Sequence, residues 1–188
     1  MKSSYLAAQV LSPGKLTLTE LPIREPGPTE VRIRVEACGI CRTDASTVTN
    51  ALGNVTYPRV PGHEVVGRID AIGASVEGWK PGDRVGIGFL AGACGHCASC
   101  RRNDPLNCTQ QPYAGIHIDG GYAEMMIVRA SALADPAELE ATQAAPLLCA
   151  GITMYSALRK ASVGARPGAL VAIQGVGGLG HLGIQYAR

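Results

Sequence analysis

Three residues far apart in the chain carry side chains that share one chemistry. Cys41, His63 and Cys149 supply two thiols and an imidazole. That donor set holds zinc in sites that keep a fourth position open for an incoming oxygen. His63 stands in Gly62-His63-Glu64-Val65-Val66-Gly67, and Cys149 in Pro146-Leu147-Leu148-Cys149-Ala150-Gly151. Around Cys41 the run Arg42-Thr43-Asp44 adds three tools. The Thr43 hydroxyl can take a proton from a bound hydroxyl group. The Asp44 carboxylate can hydrogen-bond the His63 ring and fix its tautomer. The Arg42 guanidinium matches a phosphate with its planar fork. Cys38 and Cys41 also form a C-x-x-C pair, a redox or ribbon motif. That pairing leaves His63 and Cys149 unexplained, so Cys38 is assigned to the core.

A second cysteine group is written into one short loop. Cys94-x-x-Cys97-x-x-Cys100-x7-Cys108 places four thiols where they can close a tetrahedron with no open site, the structural form of zinc. Such an ion contributes on the order of ten kcal/mol of apparent binding energy to folding. Residues 91–112 need it, because they show no apolar periodicity and form a long loop. His96 inside the loop is read as a solvated residue.

Near the end of the chain, the apolar run Gly168 to Gln174 reads as a parallel strand buried on both faces. It feeds Gly175-Val176-Gly177-Gly178-Leu179-Gly180 and a helix from His181 to Arg188. A G-x-G-x-x-G between strand and helix binds a dinucleotide. Gly175 permits the tight turn, Gly177 lets backbone approach the pyrophosphate, and Gly180 allows close helix–strand packing. Gly178 and Leu179 present further N–H groups at the positive end of the helix. The acidic residue that separates NAD from NADP is expected roughly twenty residues further on, beyond Arg188. A lone parallel strand also has no ladder partner. We therefore expect these residues to be a fragment of a longer polypeptide.

The elements that must position these groups are mostly short strands. Leu16–Leu21 and Val31–Val35 alternate apolar and polar, and Val65–Gly73 and Asp83–Gly88 continue the pattern around a Lys80-Pro81-Gly82-Asp83 turn. Gly120–Val128 returns to strand. Twenty-four glycines and twelve prolines suit such a barrel-like β domain better than a helical bundle. A helical stretch is expected from an Asp135 N-cap with Pro136 at its first position, and another over 144–160. Seventeen basic residues against fifteen acidic ones, with no basic stripe, give no field for nucleic acid or an anionic membrane surface. No apolar run approaches the roughly twenty residues that span a bilayer. Seven cysteines, an odd number, behind an N-terminus without a signal-like segment favour reduced thiols in the cytoplasm.

These motifs together resemble the zinc-containing medium-chain alcohol dehydrogenases. Gly62-His63-Glu64-x-x-Gly67, with Gly73 and Val76 after it, looks like that family's signature. Cys38–Asp44, Ala145–Gly151 and the four-cysteine loop are similar to its cysteine segments, so the likeness runs through essentially the whole chain. A Cys2His zinc with an open position is that family's known arrangement. The resemblance implies a mainly β, GroES-like catalytic domain with a structural-zinc lobe over 1–150. It implies the first part of an α/β Rossmann domain, incomplete, over 151–188. It makes Cys41, His63 and Cys149 ligands of a catalytic zinc, and Cys94, Cys97, Cys100 and Cys108 ligands of a structural one. Glu64 becomes a carboxylate that approaches the metal during ligand exchange, Thr43 a proton-relay hydroxyl and Arg42 a contact to the cofactor pyrophosphate. Phe89 matches a position lining the substrate cleft, and Tyr57 is read as narrowing it. Two zinc ions, NAD (with NADP open), a small alcohol or aldehyde, and a homodimer or homotetramer of the full-length protein follow as expectations. One departure stands out: the family's relay ends in a histidine three residues beyond the hydroxyl, where this chain has Ser46. The rival reading is a zinc-stapled β module that binds a partner and catalyses nothing.

Overall fold

The computed structural model describes residues 3–51, 53–162, 166 and 168–188. A hairpin opens the chain: β1 (Ser4–Ser12) pairs antiparallel with β2 (Lys15–Pro22) across Pro13-Gly14. β3 (Glu30–Cys38) follows, then helix α1 (Arg42–Thr49), β4 (Val65–Ile72) and β5 (Arg84–Ile87). A four-residue helix, α2 (Ala98–Arg101), interrupts the cysteine loop before β6 (Met125–Arg129). The last four strands form one antiparallel sheet in the order β5-β4-β3-β6. Single bridges, Ala7 to Ala123 and Val10 to Arg59, tie the hairpin to the remainder.

Period-two alternation explains the core. Val31 and Ile33 of β3 meet Val65 and Ile69 of β4, Val85 and Ile87 of β5, and Met126 and Val128 of β6, all buried in one cluster. Each such side chain contributes roughly 1.5–3 kcal/mol by leaving water. The strands expected over 16–21, 65–73 and 83–88 are therefore present within a residue, and the one expected over 31–35 runs three residues further, to Cys38. The strand expected over 120–128 begins only at Met125, because residues 120–122 turn back against the Gly62 loop.

Three expectations fail, each for a local reason. Residues 135–140 are a turn: Asp135 Oδ1 accepts the Ala137 N–H at 2.8 Å, and Ala137 lies at φ 53°. Asp135 spends its acceptor on that turn instead of capping a helix. Helix α3 (Ala141–Ala144) starts only afterwards. The helix expected over 144–160 is broken, with a 3-10 turn at Ala145–Leu148, then Cys149 at φ −124°, ψ −76°, then α4 (Ala150–Ala161). The run 168–174 is neither strand nor buried; Leu170 is 97% exposed. No described strand lies beside it, so neither its ladder nor its faces have partners. The last helix, α5 (Gly178–Tyr186), packs on α4, with Gly183 against Met154.

Candidate metal centres and dinucleotide turn

Asp44 is the hub of the first site. It is 4% exposed and occupies the third position of α1, whose N-cap is Cys41. Four donors converge on its carboxylate: Cys41 N–H at 2.9 Å, Gly62 N–H at 3.1 Å, His63 Nδ1 at 3.0 Å and the Tyr122 hydroxyl at 2.8 Å. Burial pushes this carboxyl up, but the bonds from His63 and Cys41 N–H outweigh it and hold Asp44 below the ordinary carboxylate range. An ionised carboxylate only accepts, so Nδ1 of His63 carries a proton in either charge state, and Nε2 is the nitrogen left to ligate a metal when the ring is neutral. Gly62 makes this geometry possible: it lies at φ 101°, and a Cβ there would meet Tyr122 and the Cys38 sulfur.

Nε2 of His63 is buried and has no hydrogen-bond partner. Beside the ring, one donor atom each from Cys41, His63, Glu64 and Cys149 lie within 4.8 Å of one another. Burial favours neutral imidazole, yet Asp44 and the Cys149 sulfur facing the ring push His63 up to about 10. Burial raises Cys41, but hydrogen bonds from Thr43 and the charge of His63 bring it below its usual value. Glu64 is raised, chiefly by burial. A cluster of thiols, imidazole and carboxylate that perturb one another in this way is a cation site in its donor chemistry. Zinc fits it, with an orphaned nitrogen ready to ligate.

The neighbouring groups fall as follows. Thr43 Oγ1 is 3.7 Å from the Cys41 sulfur. Arg42 is exposed at the start of α1. Phe89 packs edge-on against the His63 ring, centroids 5.2 Å apart. The Tyr57 hydroxyl donates to the Thr47 carbonyl at 2.6 Å, bracing the far end of α1. Cys38 is packed against the main core, where burial pushes its thiol up to about 12. Its assignment to the core holds. Sequence reasoning missed Tyr122 and the Gly62 N–H as anchors of Asp44; the Gly120-Gly121-Tyr122 turn was the available signal. It also missed α1.

The second cluster is built differently. The sulfurs of Cys94, Cys97, Cys100 and Cys108 lie within 4.8 Å of one another. Backbone amides point at them: Cys97 N–H to Cys94 Sγ at 3.3 Å, and Cys94 N–H and Gln110 N–H to Cys108 Sγ at 3.4 Å each. Donors aimed at sulfur favour thiolate; the amides near Cys100 and Thr109 bring Cys97 down to about 5. Four sulfurs as the donor set match the ligand count of a closed tetrahedral site. All seven cysteines are free of disulfides.

At the glycine-rich turn, Gly175 has φ 85° and Gly177 is the N-cap of α5. A Cβ on Gly180 would run into the Gly175 carbonyl, so only glycine lets helix and turn approach. Gly177 and Gly178 face open space, and Leu179 is partly exposed beside them. None of the described helices is long and apolar enough to cross a membrane.

A β domain carrying a closed four-sulfur cluster and a separate Cys2His set defines a GroES-like metal-binding scaffold. Residues 27–137 match the alcohol dehydrogenase GroES-like domain family. An alcohol dehydrogenase of Geobacillus stearothermophilus is 45% identical over 85% of this chain and 47% of its own. A mannitol dehydrogenase of Petroselinum crispum is 42% identical over 95% and 54%. Among solved structures, the cobalt- and zinc-bound thermostable alcohol dehydrogenase of Pyrobaculum aerophilum superimposes with TM-score 0.88 at 32% identity, covering 98% of this chain and 56% of that one. The chain belongs to the zinc-containing medium-chain alcohol dehydrogenases. It spans about half the length of the curated relatives it matches.

Proposed function

We propose that the polypeptide carrying this chain is a zinc- and nicotinamide-dependent alcohol dehydrogenase, oxidising an alcohol reversibly to an aldehyde or ketone. One observation carries the reading: the buried, unpartnered Nε2 of His63 within a donor set completed by Cys41, Glu64 and Cys149. Cys41, His63 and Cys149 would hold one zinc, and Cys94, Cys97, Cys100 and Cys108 the other. When bound, the first zinc supplies Lewis acidity and the nicotinamide accepts or returns hydride. The chain's own residues do the remaining work. Asp44 keeps the proton on Nδ1 of His63. Thr43 Oγ1 takes the substrate's proton. Glu64 stands by for ligand exchange. Phe89 and Tyr57 narrow the substrate cleft.

Arg42 and the N–H groups of Gly175, Gly177, Gly178, Leu179 and Gly180 bind the pyrophosphate. NAD is the cofactor we propose; a cinnamyl alcohol dehydrogenase of Helicobacter pylori, TM-score 0.87, is complexed with NADP(H), so both are compared in the test. The proposed division is a catalytic domain over 1–150 and the first part of the dinucleotide-binding domain over 151–188. The setting is the cytoplasm, and the assembly a homodimer or homotetramer. Expressed from its complete gene, the protein should oxidise members of a panel of alcohols with NAD or NADP. Cys41→Ser should reduce turnover to background while one zinc per chain remains. Undiminished turnover in Cys41→Ser refutes the assignment.

A further inference from the structure

The face of the sheet turned away from the main core receives the segment that ends at Cys149. Along β5, period two sends Val85 and Ile87 into the main core and leaves Gly86 and, just past the strand, Gly88 toward the other side. Val66 of β4 is in register with Gly86 and forms a second, smaller core with Ala144 and Ala145. Leu148 packs against that second core. Cys149 follows at once, between the 3-10 turn and α4.

Both glycines lie against Leu148. A Cβ on Gly86 would stand 2.9 Å from Leu148 Cδ1, and one on Gly88 would stand 2.5 Å from the Leu148 carbonyl oxygen. The two clashes differ in kind. The first meets the end of a side chain that can turn, the second the peptide group that Leu148 shares with Cys149. The strand has no room to retreat. Gly86 N–H donates to the Ala134 carbonyl at 2.8 Å, Ala134 N–H returns the bond at 2.9 Å, and β4 flanks the other edge. A side chain at either position must therefore displace Leu148.

Of the three candidate ligands from separate segments, Cys149 has the least support of its own. Cys41 caps α1, and Asp44 holds the His63 ring. Cys149 N–H reaches the Pro146 carbonyl at 3.4 Å, and its carbonyl accepts Thr153 N–H at 3.0 Å. Neither backbone bond ties it to the sheet; the seat of Leu148 does. We propose that Gly88, with Gly86 beside it, is a positioning residue for Cys149. The notch seats the Leu148 peptide so that the next thiol meets Cys41 and His63. This rests on the reading of Cys149 as a metal ligand, and it makes β5 a determinant of how tightly the convergent site holds its ion.

Competition with a graded zinc chelator, on the zinc-loaded protein expressed from its complete gene, tests the role without reference to turnover. Gly88→Ala should hold one of two ions at least about tenfold more weakly than wild type, while residues 91–112 stay protected from protease. Gly86→Ala should weaken the same ion less. Leu148→Ala in that background should restore it, because the clashing Cδ1 is gone. Leu148→Ala should not restore Gly88→Ala, whose clash is with a carbonyl that alanine keeps. A generally loosened fold would treat both pairs alike. Wild-type affinity in Gly88→Ala, or its rescue by Leu148→Ala, overturns the proposed role alone. One ion in the wild type removes the ligand reading, and the role with it. If Gly88→Ala does not fold, the Gly86→Ala pair decides: failure of Leu148→Ala to restore the ion refutes the notch.

Discussion

The two sulfur clusters solve one problem by opposite means. Cys94, Cys97, Cys100 and Cys108 come from a single loop of fifteen residues, and their sulfurs are met by that loop's own amides. Cys41, His63 and Cys149 come from three segments, and only the sheet brings them together. There the organising group is Asp44, which gathers donors from α1, the Gly62 loop and the Gly120–Tyr122 turn. A local cluster can be ordered by its ion alone. A convergent one needs the fold to have formed first, and its scaffold must be rigid without metal. The comparison predicts that damage to the loop shows as lost folding, whereas damage to the hub shows as a lost site.

The largest effect should come from the loop. Cys97→Ser, or removal of both ions by chelator, leaves residues 91–112 with no core. Part of an apparent binding energy on the order of ten kcal/mol is forfeited. Urea unfolding monitored by circular dichroism should show a loss of several kcal/mol, and limited proteolysis should cut within this loop first. Retained protease resistance in the chelated protein would erase the contrast between the two clusters.

Asp44→Ala comes next. It strands buried donors, each worth about 1–3 kcal/mol, so we expect a stability loss of at least about 3 kcal/mol. The zinc ligated by His63 should be lost while the loop zinc stays. A variant that keeps both ions would show that Asp44 is not the hub. Smallest is Tyr122→Phe, which removes one of the four donors. Equilibrium unfolding should register about 1–2 kcal/mol, with zinc content unchanged.

The same contrast explains what could be read from the residues alone. The grouping of the four cysteines was legible from their spacing, although α2 and the 3-10 turn at Pro105–Asn107 within the loop were not. β3 was legible because one face is buried and period two records it; β4 and β5, buried on both faces over Val65–Gly67 and Val85–Ile87, were legible from their apolar residues and the turn between them. β1 was not: Leu6 and Leu11 face outward while Gln9 is buried, so its alternation carries no clear sign. Helix α1 was illegible for a related reason. Its buried face is Asp44 and Thr47, both polar, and its start is fixed by the reciprocal capping of Cys41 and Asp44. Asp135-Pro136 shows the converse error, a helix-start signature used to close a turn. The run 168–174 shows that apolar composition predicts a buried strand only where neighbouring strands exist to bury it.

The central claim is that Cys41, His63 and Cys149 share one ion independent of the loop's. Zinc per chain, measured by elemental analysis on wild type and on Cys149→Ser, tests it most directly. The account predicts two ions in the wild type and one in the variant, with the loop still protected from protease. One ion in the wild type, or two in Cys149→Ser, would contradict it.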